Sequence, residues 1–237
     1  MDRIASMNKE VWEAAVSRGE GNARPHLDLD VELVRRYARG EVDPVPKELA
    51  CVFPHKVLED VEGKDVLCLA ASGGQQSPLF CLLGANVTVL DLAEGQLAGD
   101  HAAADHYGYE VRTVHGDMRD LSCFEPDSFD VVFQATTCWI PDVKEVYREV
   151  IRVLRPGGLY RVDFANPATE FSDHPDAKDG KVPYSVKEMV YHFDDQPDAV
   201  QFRHYLSEIF NGLIETGLVL QEVIDPREWF VVLARKP

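Results

Sequence analysis

The sequence predicts an α/β fold in which a mostly parallel, doubly wound sheet carries helices on both faces. Between residues 65 and 166, apolar runs of strand length alternate with helical stretches joined by short connections. The first of these runs is apolar along nearly its whole length, as a strand covered on both faces is. The last two runs, 218–224 and 228–236, lie too close together for a crossover helix and must pair antiparallel. Seven runs in all predict a seven-stranded sheet whose last strand is antiparallel.

Taken in order, residues 1–50 read as helices with a loop between, a helical N-terminal cap on an α/β domain at 51–237. Trp12, Ala15 and Val16 form one short apolar face. Leu29, Leu33, Val34 and Tyr37 recur at helical spacing before Gly40 and the breaker DPVP at 43–46. DVLCLA at 65–70 is the first strand, and QSPLFCLLG is a helix ending at Gly84. NVTVLD (86–91), EVRTVHGD (110–117) and SFDVVFQA (128–135) are the next three strands, with EGQLAGDHAAADHYG a helix between the first two of them. The clearest helix is 142–154, with Val143, Val146, Tyr147, Val150, Ile151 and Leu154 on one stripe; RPGG at 155–158 stops it before strand 159–166. Residues 167–200, rich in Asp and Pro, break the rhythm as an insert, functional or disordered. Helix 203–216 and the closing pair around Asp225-Pro226-Arg227 complete the chain.

Composition excludes several classes. A hydrophobic fraction of 45% with 27% charged residues is that of a soluble globular protein, and no run nears the roughly 18 apolar residues of a membrane span. Charges run through the N-terminal stretch where an export signal would need an apolar core, which predicts a cytoplasmic protein. The five cysteines (Cys51, Cys68, Cys81, Cys123, Cys138) include no C-x-x-C pair, so reduced thiols and no metal site are expected. His101 and His106, five apart on a helix, read as surface residues, and His26, Asp28 and Asp30 as a solvated loop. A net charge of −17 without a Lys/Arg cluster argues against nucleic acid and for a cationic or neutral small molecule.

In an open parallel sheet, ligands bind beyond the carboxyl ends of the strands, where the strand order reverses. The loop 70–75, Asp91 and Asp117 sit at such ends. Asp91 follows the loop by about 20 residues, the spacing at which a carboxylate takes both hydroxyls of a ribose; its other reading is a helix N-cap. The loop lacks the G-x-G-x-x-G of a dinucleotide fold and carries Ala70, Ser72 and Gly74 instead, with Gly73 beside them.

The C-x-A-x-S-G-G pattern, with GANVTVLD, GDMRDL, FDVVFQATTCWIPDV and VLRPGG in that order, resembles the class I S-adenosylmethionine-dependent methyltransferases, and RHYLSEIFNGLIETGL resembles the late helix of small-molecule members of the ubiquinone- and menaquinone-biosynthesis type. The resemblance covers residues 65–165 well. It implies a Rossmann-like fold, S-adenosyl-L-methionine as cofactor and methyl transfer to a small-molecule acceptor by a monomer or homodimer. The resemblance implies cofactor contacts from Ala70, Ser72, Gly73, Gly74, Gln75, Asp91, Leu92, Asp117, Met118 and Gln134, with the helix following the loop turning its free N–H groups to the methionine carboxylate. The chain departs from the family where Cys68 replaces the acid that opens the loop, and where Ala70 and Ser72 replace its first two glycines.

Methyl transfer is an in-line displacement that needs a base only when the acceptor carries a proton that must leave. Trp139, Tyr37, Tyr184 and Tyr191 are candidates to line the acceptor pocket, and His204 and His192 are the candidate bases. A nicotinamide-dependent oxidoreductase, a binding protein that transfers nothing and a metalloid methyltransferase using Cys138 are the rival readings.

Overall fold

The computed structural model describes residues 2–172, 174, 176–179, 182–193, 196–225 and 229–237. Helix α1 (Arg3–Arg18) begins at Asp2, whose carboxylate accepts from the Ala5 amide, and ends at Gly19 in the left-handed region at φ 63°. Helices α2 (Val31–Ala38) and α3 (Lys47–Ala50) follow. The alternating region then runs β1 (Asp65–Leu69), α4 (Ser77–Cys81), β2 (Asn86–Asp91), α5 (Glu94–Tyr107), β3 (Arg112–His115), β4 (Phe129–Gln134), α6 (Val143–Val153) and β5 (Leu154–Ala165). A hairpin of β6 (Glu188–Phe193) and β7 (Gln196–Phe202), then α7 (Leu206–Glu215), β8 (Val219–Ile224) and β9 (Trp229–Arg235), finish it.

The main sheet has seven strands in the order β3-β2-β1-β4-β5-β9-β8. The first five in that order are parallel, and β9 runs antiparallel to both β5 and β8. Chain direction across the sheet reverses at β1, flanked by β2 and β4, which opens a crevice beyond their carboxyl ends. Period-2 alternation splits β1 between the two faces. Val66 and Cys68 join α2, α3 and α4 through Val34, Tyr37, Leu49, Leu79 and Phe80. Leu67 and Leu69 join α6 and α7 through Val146, Tyr147, Val150, Ile209 and Leu213. Each such fully buried aliphatic side chain contributes about 1.5–3 kcal/mol, so the sheet's central strands are its most strongly held part.

Several expectations need correction. The helix read over QSPLFCLLG is a single short turn, α4, because the residues before Ser77 are held in loop conformation by side-chain contacts described below. It is too short to present a helix N-terminus to a ligand. The RPGG stop lies inside β5, which already pairs at Leu154 with Phe129 and resumes after a bulge at Leu159 with Val131. Helix α7 starts at Leu206, three residues later than read. Residues 167–200 hold the β6 strand and most of the β7 strand, which pair antiparallel from Glu188↔Phe202 with a register shift between Tyr191 and Phe193. The turn read around Asp225-Pro226-Arg227 falls largely outside the described residues.

Helix α1 packs against β7 on one side and α5 on the other. Asn8, 2% exposed, binds like a strand residue: its side-chain amide donates to the Trp139 and Val200 carbonyls and its oxygen accepts from the Val200 amide. This clamp sets α1 across the crevice.

Candidate active site

A cavity of about 230 Å³ lies at the carboxyl ends of β1, β2, β3 and β4, roofed by Ile4, Ala5, Asn8 and Trp12 of α1. Its floor begins at the loop after β1. Ala70 and Ser72 line the cavity and both hold left-handed backbone, at φ 57° and 50°. Neither is glycine, so each stores about 1–2 kcal/mol of backbone strain at the wall of the cavity.

Gly73 and Gly74 do not line the cavity; they serve the approach of α5. A Cβ on Gly73 would stand 2.4 Å from Gln96 Oε1, and one on Gly74 2.5 Å from the Gly99 carbonyl oxygen. The converse holds too, since a Cβ on Gly99 would meet the Gly73 carbonyl at 2.4 Å. Gly73 and Gly74 are thus bared for a helix, which corrects their reading as cofactor contacts, while Ala70 and Ser72 of the same loop face the cavity. Gln75 also faces elsewhere: its amide donates to the Gly21 and Arg24 carbonyls at 2.7 and 2.9 Å and ties down the segment after α1. Beneath the loop, Ser77 Oγ donates to the fully buried Asp100 carboxylate on α5. Burial raises the Asp100 pKa to about 7, with the Ser77 hydrogen bond pulling the other way.

At the end of β2, Asp91 lines the cavity with 9% of its surface exposed, and one carboxylate oxygen accepts from the Ala93 amide at 2.9 Å. Burial raises its pKa to about 6 against the pull of the Ala93 and Leu92 amides. Leu92, Gln96 and Met118 share this part of the wall. Asp117, at the end of β3, also lines the cavity but is engaged by Arg119, whose guanidinium grips both its oxygens and reaches Asp2 at 2.7 Å. Asp2, Arg119 and Asp117 thus link the start of α1 to the β3 end. On the other flank, Glu13 accepts from the Gly95 amide at 3.2 Å, capping α5 from α1.

Past β4 the wall is Ala135, Thr136, Trp139, Ile140 and Pro141. Trp139 meets Trp12 edge-on, with ring centroids 5.4 Å apart. Gln134 sits behind this wall, fully buried, with its oxygen held by the Tyr160 hydroxyl and its nitrogen by the Thr136 carbonyl at 2.9 Å, so it shapes the β4 end from beneath.

The remaining candidates lie away from the cavity. Tyr37 is 1% exposed in the core and donates to the Val52 carbonyl. Tyr184 is 49% exposed and stacks on Tyr205, while Tyr191 packs against the His174 ring. His192 is a surface residue, 71% exposed, paired with Asp198. His204 is buried with its ring nitrogen 3.0 Å from the Thr137 carbonyl, and burial lowers its pKa, so it is a neutral packing residue behind the β4 loop. Neither histidine lines the cavity. Cys138 is no thiolate, since burial pushes its pKa up to about 12. Among the described residues no group of three or more His, Cys, Asp or Glu side chains is arranged to hold a metal ion, and no helix is long and apolar enough to cross a membrane.

Sequence reasoning missed the α1 roof, Arg119 and Gln96. For Gln96 a signal existed: Gln96 and Asp100 stand four apart, on the same stripe of α5 as Leu97, Ala103 and Ala104, so two polar residues occupy its buried face.

Comparison with known proteins agrees with this architecture. A family model described as a methyltransferase domain matches residues 67–162. An uncharacterized methyltransferase of Bacillus subtilis, YbaJ, is 29% identical over 244 residues, spanning 98% of this chain and 94% of that protein. The demethylmenaquinone methyltransferase of Clavibacter sepedonicus is 33% identical over 123 residues, which is 47% of this chain and 46% of that protein. Among solved structures, an S-adenosylmethionine dependent methyltransferase from Mesorhizobium loti superposes with TM-score 0.64 at 20% identity, covering 89% of this chain and all (100%) of that one. The PH0226 protein from Pyrococcus horikoshii OT3 does so with TM-score 0.64 at 17% identity, over 93% and 98%. At these identities the structural likeness is one of fold.

Proposed function

The chain belongs to the class I S-adenosylmethionine-dependent methyltransferases, and on that premise we propose that its roofed cavity binds S-adenosylmethionine and presents it to an apolar small-molecule acceptor. The observation that carries the reading is Asp91: a carboxylate buried at the end of β2, on the wall of the cavity, with acceptor capacity beyond the Ala93 amide. A ribose diol supplies the two donors that such a carboxylate needs, and charge-assisted bonds of this kind are the strong ones. Leu92, Met118 and the Asp117–Arg119 pair then flank the adenine, and Ala70 and Ser72 face the chain that leaves the ribose. S-adenosylmethionine, when bound, supplies a methyl group on a positively charged sulfur.

The acceptor end follows from what is left. Ile4, Trp12, Trp139, Ile140 and Pro141 form an apolar wall with no titratable side chain, while the ionisable groups Asp91, Asp117 and Arg119 stand at the nucleoside end. The chain's part in transfer is therefore to orient the acceptor and exclude water, and the attacking atom brings its own lone pair or acidity. The apolar substrate named in one relative, the demethylmenaquinone methyltransferase of Clavibacter sepedonicus, fits such a wall. The net charge of −17 supports a neutral or cationic acceptor over a nucleic acid. In this reading residues 1–50 act as a cap on the 51–237 domain, with the 167–200 insert beside it.

The test is to incubate the protein with S-adenosylmethionine and a panel of apolar ring acceptors bearing hydroxyl, amine or acidic carbon, and to follow S-adenosylhomocysteine. Melting runs with S-adenosylhomocysteine and NADH belong beside it. A rise with the first and product with one acceptor class are expected. A rise with NADH alone would sink the reading.

A further inference from the structure

The walls of the cavity and its roof are held by different bonds. The walls are the ends of β1, β2, β3 and β4 and the turns after them, fixed by parallel ladders. The roof is α1, and among the described residues no backbone–backbone hydrogen bond joins α1 to another element. Side chains alone dock it, and they do so unevenly along its length. From Asn8 onward the ties are the buried Asn8 clamp, the exposed Lys9–Glu94 pair and the Glu13 carboxylate on the Gly95 amide. Before Asn8 the one polar tie among the described residues is the Asp2–Arg119 ion pair at 2.7 Å, with Asp2 half-exposed. Yet Ile4 and Ala5, which line the cavity, belong to that first turn.

Exposed ion pairs and helix ends are the least costly contacts in a fold to open, whereas three buried hydrogen bonds on one side chain resist opening. A ligand lying under the roof with its ribose on Asp91 enters by displacing part of the enclosure, and the least firmly held part is residues 3–7. Asp2 combines two contacts in one carboxylate: Oδ1 caps the helix at the Ala5 amide, 2.9 Å away, and Oδ2 accepts from Arg119, which grips Asp117 on the cavity wall. Losing that carboxylate's hold loosens the turn that carries Ile4 and Ala5. We propose that the first turn of α1, residues 3–7, is a gate that unwinds about Asn8 to admit the cofactor, and that the Asp2–Arg119 pair is its latch. The inference rests on the reading of the cavity as an S-adenosylmethionine site and adds the route into it. The latch is closed both in the free protein and over the bound nucleoside, so it cancels from the affinity and acts on both rates alike.

Asp2→Asn keeps a good N-cap residue and removes the charge that Arg119 holds. Glu94→Gln removes a tie beyond the hinge and serves as the control. In residue-resolved hydrogen exchange without ligand, the amides of residues 5–8 should exchange at least about tenfold faster than those of residues 11–15. Asp2→Asn should speed the first group about threefold and leave the second unmoved. Stopped-flow tryptophan fluorescence then follows S-adenosylhomocysteine on and off. In Asp2→Asn both rates should rise about threefold with the dissociation constant within about twofold of wild type, and in Glu94→Gln neither rate should change. A rise in dissociation alone, as loss of a plain ligand contact gives, unchanged rates in Asp2→Asn, or an equal effect of Glu94→Gln would overturn the gate. So would amides of residues 5–8 protected as well as those of 11–15, whatever the protein binds. A wild type that exchanges as expected but does not bind S-adenosylhomocysteine overturns the reading of the cavity, and with it the gate's cargo.

Discussion

Asp91 holds the account together at the scale of single residues. Burial raises its pKa to about 6, and in the proposed site it takes both ribose hydroxyls as the ionised carboxylate. Affinity for S-adenosylhomocysteine should therefore rise between roughly pH 5 and 7, and Asp91→Asn should flatten that rise in a calorimetric pH series. Asp91→Ala should cost about 2 kcal/mol of binding, or about thirtyfold, from lost charge-assisted hydrogen bonds. Asp100 behaves differently because it touches the loop from beneath. Burial raises its pKa to about 7, so above that the folded protein carries a poorly solvated charge held mainly by Ser77. Asp100→Asn should then raise the melting temperature at pH 8 by about 2–4 °C. An unchanged or lower value would mean that the carboxylate is better compensated than its contacts indicate.

Among the elements, α1 was the least legible. Trp12, Ala15 and Val16 marked an apolar face, but the bonds that dock it join Asn8 to Val200, 192 residues away, and no local pattern encodes such a pairing. Asn8→Ala should leave the Val200 groups and the Trp139 carbonyl unmet, costing about 2 kcal/mol and lowering the melting point by roughly 4–8 °C. Because α1 roofs the cavity, the same variant should also release S-adenosylhomocysteine faster in stopped-flow displacement. The strands β1, β2, β4, β8 and β9 were legible because apolar runs bounded by turns have few other solutions. The β6–β7 hairpin was not, since EMVYHF and QPDAVQF alternate too weakly to outweigh their polar and proline content. Glycine was legible as a bared backbone but not as to what approaches it: Gly73 and Gly74 face Gln96 and Gly99, while Ala70 and Ser72, which broke the expected pattern, face the cavity. The histidines misled for the opposite reason. Their chemistry suited a base, but His204 is spent on a backbone carbonyl and His192 on the surface.

For the molecule as a whole, the raised pKa values of Asp91 and Asp100 make the unliganded fold lose stability as pH rises, while burial of His26 and His204, which lowers theirs, makes it lose stability as pH falls. Between about pH 4, where free carboxyls ionise, and about pH 7, the folded chain keeps protons that the unfolded chain has released. The aspartates' contribution to stability is whole at the acid end and is lost as pH rises. Repulsion within a chain of net charge −17 works in the same direction. Glu149, held below its usual pKa by the Arg152 hydrogen bond, acts oppositely and loses its contribution as pH falls through that lowered value. The wild type should therefore lose more melting temperature between roughly pH 5.5 and 8 than the Asp91→Asn, Asp100→Asn double variant does. All of this surrounds one crevice, where the sheet reverses direction at β1 under the roof of α1. A crystal structure with S-adenosylhomocysteine bound tests that claim most directly. The ribose hydroxyls are predicted within hydrogen-bond distance of Asp91 with the sulfur toward Thr136 and Trp139; a nucleoside bound elsewhere, or with its ribose remote from Asp91, would contradict it.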